Sequence, residues 1–219
     1  MTMLYRLDAD AALIARTFDA DPGDDPWQGG YVTPGRFAPV IVAGPDGARR
    51  MVPRLWGVPP PPGAAPAGGA PVVAHVRNLE SPFWAGVLRH RVRRCLVPAT
   101  GYDLWSPHPD PRTARHVRHR VALAGCALFA FAAIWRDDEV PGYALLRCAP
   151  NRLVGAVNPR GMPVILAGEA QHGWLNDAWP AASRLVAAFP SQRMTVDPPP
   201  VRGMDVAASC AGPAAGPLS

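Results

Sequence analysis

Thr2 is the first residue with a claim to chemistry. The chain opens "MTMLYRLDAD", and trimming of Met1 would place the free α-amine on Thr2. All 22 basic residues are arginine, so that α-amine is the only aliphatic amine in the sequence. Amines attack carbonyl carbon, which makes this terminus a candidate nucleophile. The six histidines supply acid–base groups, but no GxSxG, HExxH, GxGxxG or phosphate-binding loop surrounds them. Cys95, Cys126, Cys148 and Cys210 show no CxxC spacing, and three of them lie in apolar, strand-like stretches. They read as reduced core thiols rather than metal ligands, and neither a metal nor a cofactor is expected.

Charge is unevenly distributed. Residues 8–25 carry six aspartates against Arg16 alone, whereas residues 85–120 carry eight arginines and four histidines against Asp103 and Asp110. A basic segment of this kind favours a polyanion, with each phosphate contact adding salt sensitivity. Scattered arginines on a solvated face are the competing explanation. The net charge of +5 fits either.

These residues need a scaffold, and 219 residues suffice for one large domain or two small ones. Hydrophobic residues make up 48% and charged ones 18%, a globular balance, while 28 prolines and 21 glycines mark loops. The longest apolar run, 121–135, falls short of the roughly 20 residues of a membrane span. No charged segment leads into an apolar stretch at the start, so no secretory signal is read and a cytoplasmic protein is expected.

The pattern predicts a helix over 11–18 with Asp8 or Asp10 near its cap, then strands at 38–44 and 49–56. "PPPPGAAPAGGAP" (59–71) reads as a loop, since proline removes backbone donors. Ser81, Pro82 and the spacing of Phe83, Trp84, Val87 and Leu88 predict a helix over 81–90. Strands follow at 94–99 and 101–105, then a polar His/Pro/Arg loop over 108–120. A buried pair at 126–135 and 142–148 is joined by "RDDEVP", with a further strand at 164–168. Helical patterns at 169–176 and 180–189 precede a frayed tail. Strands and helices do not alternate regularly, which predicts an α+β fold with a mostly antiparallel sheet.

Six short blocks stand in a fixed order: "LYR" near residue 5, "RLWGVPPPP" (54–62), "HVRNLESPFW" (75–84), "RRCLVPATGYDLW" (93–105), "LFAFAAIW" (128–135) and "NPRGMPVIL" (158–166). Together they resemble the SOS response-associated peptidase (SRAP) family, the abasic-site-processing proteins, over about residues 1–198. The most similar branch begins Met-Cys-Asn-Leu-Tyr and carries an "NVRN" block followed by "SSPFW". The resemblance implies a single SRAP-like domain over 1–200, a distorted β-barrel with peripheral helices, and an Ala/Gly/Pro-rich tail at 201–219. It further implies a positively charged groove for single-stranded DNA and a role in DNA damage. Family members cross-link to the aldehyde of an abasic site through an N-terminal cysteine that closes a thiazolidine. An asparagine, a glutamate and a histidine support that chemistry and self-processing.

Carried over residue by residue, all four of those positions differ. The cysteine falls on Thr2, the asparagine on His75, the glutamate on Leu104 and the histidine on Asn158. Arg77, Asn78 and Arg160 remain at positions the family uses for DNA backbone contacts, along with the packing residues Trp56, Gly57, Pro98 and Pro163. A threonine hydroxyl is hardly ionised where a thiol is partly thiolate, Leu104 transfers no proton, and Asn158 does not titrate. His75 either replaces the missing acid–base group or fills the asparagine's hydrogen-bonding role. Arg77 and Arg160 either contact phosphate or pair with a carboxylate such as Asp103. Trp56 and Trp135 read as core rather than stacking platforms, and "VPPPP" replaces the family's aromatic wedge. The 108–120 loop either tracks a DNA backbone or is a solvated insertion.

The expectation is a monomeric, single-stranded DNA-binding member of the family whose cross-linking and autoproteolysis are lost or weakened, without membrane association. Two alternatives stand beside it. One is an active enzyme that cross-links abasic DNA through the α-amine of Thr2, and the other is a protein-binding scaffold that does not use DNA.

Overall fold

The computed structural model describes residues 3–44, 46–61, 72–137 and 139–198. Along the chain the elements are β1 (Leu4–Leu7), α1 (Ala11–Phe18), β2 (Ala20–Asp21), β3 (Gly30–Val32), β4 (Phe37–Ala43) and β5 (Arg49–Trp56). Next come β6 (His75–Val76), α2 (Pro82–Arg89), β7 (Arg94–Ala99), β8 (Gly101–Pro109), β9 (His116–Leu123), β10 (Phe129–Asp137) and β11 (Pro141–Cys148). The described chain finishes with α3 (Arg152–Gly155), β12 (Met162–Pro163), β13 (Ile165–Leu166), α4 (Glu169–Asn176), α5 (Trp179–Ala182) and β14 (Met194–Asp197). The fold is α+β, mostly antiparallel and barrel-like, with short helices at the periphery.

Five strands close on themselves. β7 pairs β4, β4 pairs β5, and β10 lies between β7 and β11, all antiparallel. A short parallel contact, Gly142↔Leu55 and Tyr143↔Trp56, joins β11 to β5 and completes the ring. That seam is tight enough to dictate glycine. A Cβ on Gly142 would sit 2.2 Å from the Gly57 carbonyl oxygen, and Gly57 itself adopts φ +134°. Gly57 N–H donates to the Tyr143 carbonyl at 2.7 Å across the same junction. A second, wholly antiparallel sheet runs β14–β9–β8–β1–β3 and packs beside the barrel.

The barrel interior is filled by the runs that read as strands. Every residue of β7 is buried, as are the first six of β10. Inside, Tyr5 and Tyr143 share a hydroxyl hydrogen bond of 2.6 Å, and Trp56 Nε1 donates to the Ala74 carbonyl at 3.0 Å. Trp56 is fully buried and therefore core, whereas Trp135 is half-buried between the guanidiniums of Arg54 and Arg93. Cys95 is buried, Cys126 and Cys148 are half-buried, and all three are free thiols. Cys210 and the 201–219 tail lie outside the described residues.

Several expectations need correction. The 108–120 segment is no loop: β8 extends to Pro109, Asp110 caps a tight turn by accepting from Arg112 N and Thr113 N, and β9 begins at His116. In β9 the inward residues His119, Val121 and Leu123 alternate with Arg118 and Arg120 facing water, a period of two masked by charge. The helix expected over 180–189 stops at Ala182 and continues as a 3₁₀ turn over Ser183–Leu185. Asp10 caps α1, accepting from Leu13 N at 2.7 Å, but Ser81 makes no side-chain cap at α2. Among the described residues no helix is long and apolar enough to cross a membrane.

Candidate functional site

A cleft of about 820 Å³ opens where the barrel meets the second sheet. Met3 enters it just ahead of β1, β6 contributes His75, and the turn after β6 brings Arg77 and Asn78. Trp84 of α2, Leu104 of β8, Arg147 of β11 and the Asn158–Arg160 turn complete the wall. His75, Leu104, Asn158, Arg77, Asn78 and Arg160 thus meet in one cleft although they span more than 80 residues of chain. Thr2 lies outside the described residues; its neighbour Met3 is buried at the cleft wall.

Local chain geometry explains each placement. β6 is a two-residue strand paired in parallel with β11, Leu145↔His75, which seats the imidazole edge-on to Trp56 at 5.7 Å. Asn78 Oδ1 accepts from Glu80 N at 3.0 Å and starts the turn into α2. Asn151 caps α3 by accepting from Val154 N at 2.9 Å, and α3 delivers the chain to Asn158. Asn158 then organises its own turn: Oδ1 accepts from Arg160 N and Nδ2 donates to the Gly161 carbonyl, both at 3.2 Å.

The electrostatics are one-sided. Three arginines and a histidine line the cleft, and none of the lining residues is a carboxylate. Arg77 and Arg160 are exposed and form no ion pair among the described residues. Asp103, the carboxylate they might have paired with, points to the other face of β8 and binds Arg118. Burial first, then the charges of Arg147 and Arg77, push the His75 pKa down to about 3. The imidazole is therefore neutral near pH 7, and it enters no hydrogen bond among the described residues, with Nε2 enclosed. Leu104 is only 3% exposed and presents a methyl-lined wall.

Arg147 escaped sequence reasoning. Its signal was an arginine inside the otherwise apolar strand "GYALLRC", where a guanidinium is costly to bury without a partner. It is half-buried, donates from Nη2 to the Gly161 carbonyl at 2.7 Å, and leaves Nε enclosed without a partner. Burial and then Arg77 lower its pKa. No group of three His, Cys, Asp or Glu side chains among the described residues is placed to hold a metal ion.

Fold and site together define a closed β-barrel with a flanking sheet and an arginine-lined, carboxylate-free cleft between them. The chain matches the SOS response associated peptidase (SRAP) family over residues 1–201 and belongs to it. No curated protein matches it by sequence. In structure it is similar to a protein from Bacteroides thetaiotaomicron (TM-score 0.72, 18% identity, 88% of this chain and 90% of that one). It is likewise similar to a protein from Bordetella bronchiseptica (TM-score 0.68, 18% identity, 92% and 100%). A phage-related protein from the same organism gives a TM-score of 0.66 at 19% identity over 91% and 93%. At these identities the likeness concerns the fold.

Proposed function

We propose that this SRAP-family protein is a cytoplasmic, monomeric single-stranded DNA-binding protein of the damage-response type, with its cross-linking and self-processing chemistry lost or weakened. One domain over residues 1–200 carries this function. The observation that supports it most is the cleft itself, where Arg77, Arg147 and Arg160 meet with no carboxylate among the lining residues. Cations left without internal counter-charge suit an external polyanion. Loss of chemistry follows from the side chains in the four family positions. Thr2 offers a hydroxyl in place of a thiol, and Leu104 has no proton to move. Asn158 is engaged in its own turn, and His75, with its pKa near 3, is a poor acid or base at neutral pH.

A salt titration against single-stranded DNA is the direct test, because phosphate-driven affinity falls steeply with salt. Arg77→Ala or Arg160→Ala should weaken binding by roughly tenfold or less and lower the salt slope by about one unit each. Unchanged affinity in both variants would favour the scaffold alternative. Borohydride trapping on abasic DNA addresses the other alternative, since the sequence contains no lysine and only an α-amine imine would be fixed by reduction.

A further inference from the structure

The cleft floor is more specific than a basic groove requires. Arg147 reaches it from inside β11, where the backbone is shaped around its guanidinium. Gly161 adopts φ +121°, and a Cβ there would lie 2.7 Å from the Cys148 carbonyl oxygen and 3.6 Å from Arg147 Nη2. The Gly161 carbonyl accepts from both Arg147 Nη2 and Asn158 Nδ2, so the Asn158 turn and the guanidinium are locked to one acceptor. A half-buried arginine held this way has a fixed orientation, and a fixed fork suits bidentate recognition of phosphate oxygens.

Charge balance narrows the ligand. The lining residues bring Arg147, Arg77 and Arg160 together without a carboxylate, and Arg147 is partly withdrawn from water. An internal phosphodiester carries one negative charge, which leaves the pair Arg147 and Arg77 under-compensated. A phosphomonoester carries close to two negative charges near pH 7. Leu104 sits in the wall where a carboxylate would repel such a group, and His75 lines the same cleft as a neutral imidazole. Burial and the neighbouring Arg77 charge shift Arg147 toward its neutral form, so a dianion would relieve repulsion there.

We propose that Arg147, with Arg77 and His75, forms a subsite for a phosphomonoester, so that a DNA strand ending in a phosphate is preferred to the same strand ending in hydroxyls. The inference rests on the single-strand-binding reading and adds the strand end as the preferred substrate class.

The experiment compares one short oligodeoxynucleotide in three forms, with a 5′-phosphate, with a 3′-phosphate, and with hydroxyls at both ends, at one fixed salt concentration. One phosphorylated form is expected to bind about tenfold more tightly than the hydroxyl form, the scale of one charge-assisted contact. Arg147→Met should erase that difference, and Arg147→Lys, which keeps the charge without the fork, should reduce it. Equal affinity for all three strands overturns the phosphomonoester subsite while leaving single-strand binding in place. Failure to bind any strand overturns the proposed function itself. A phosphate preference that survives Arg147→Met in folded protein also overturns the assignment. A mononucleotide that displaces the phosphorylated strand at equal or lower concentration identifies free nucleotide as the ligand and overturns the strand-end reading. Should either substitution unfold the protein, the comparison of ends on the unaltered chain decides alone.

Discussion

The two faces of β8 treat arginine in opposite ways. On one face Asp103 is fully buried and ion-paired with Arg118, Arg6 pairs with Asp8 at 2.6 Å, and the Tyr31 ring lies between the Arg6 and Arg118 guanidiniums at 4.7 and 5.1 Å. On the other face Leu104 looks into a cleft whose three arginines have no carboxylate among the lining residues. One residue of register separates the two environments, because successive side chains of a strand point to opposite sides. On the Asp103 face the Arg6 and Arg118 charges are answered by Asp8 and Asp103 within the fold. On the Leu104 face guanidinium charge is left uncompensated, a condition that stability alone does not favour and that an external anion resolves.

The largest effect is expected from substitutions that introduce the cross-linking side chains the proposed function takes to be missing. On protein whose mass shows Met1 removed, Thr2→Cys alone should give slow, heat-resistant cross-linking to abasic single-stranded DNA, since ring closure needs mainly an amine and a thiol. Adding Leu104→Glu and Asn158→His should speed it by about 10²–10⁴-fold, the usual worth of general acid–base help. Adduct formation over time on a denaturing gel reads the rate. Native protein that cross-links as fast as the Thr2→Cys variant would show that Thr2 is a working terminus.

A smaller, opposite contrast is expected in stability. Arg118→Ala strands a buried carboxylate, and removing one partner of such a pair should lower unfolding free energy by about 3 kcal/mol, with Arg118's own exposure keeping the effect near the low end. Arg77→Ala, at an exposed arginine with no ion pair among the described residues, should stay within about 0.5 kcal/mol. Denaturant titration of both variants measures the gap. Equal effects would break the distinction between a face whose arginine is ion-paired and a face whose arginines are not.

Much of this architecture was legible in local patterns. The apolar runs that became β4, β5, β7, β10 and β11 are rich in branched and aromatic residues and bounded by turn signals, so the barrel strands stood out. β9 did not, because outward Arg118, Arg120 and His116 hide the alternation of His119, Val121 and Leu123. The brief β1, β3 and β6 strands are held by their neighbours in the sheets, which short sequence windows do not contain. The convergence of His75, Leu104 and Asn158 was legible only through the ordered blocks of the family, since no local spacing links residues so far apart. Arg147 was missed because its neighbours read as core, and its lack of a carboxylate partner is a property of the assembled cleft.

The smallest expected effect concerns His75, and it is the finest probe of how the cleft face handles charge. Its folded pKa is about 3, well below the ordinary histidine value of 6.5, because the site is buried and faces Arg147 and Arg77. Above pH 6.5 the imidazole is neutral in both folded and unfolded chains and contributes no slope to stability. Below 6.5 the unfolded chain takes up a proton that the folded one refuses, so stability falls as pH drops toward 3. The slope approaches about 1.4 kcal/mol per pH unit from this one group. His75→Asn, which removes the titrating ring, should remove that component, so the difference between the two proteins should vanish above pH 7 and widen to about 1.4 kcal/mol near pH 5.5. Comparing the same fold with and without one imidazole cancels the carboxylates that titrate in the same range. An NMR titration of the His75 ring sharpens the result: a midpoint near 6.5 would mean that the arginines of the cleft do not press on it, and the contrast between the two faces of β8 would lose its electrostatic basis.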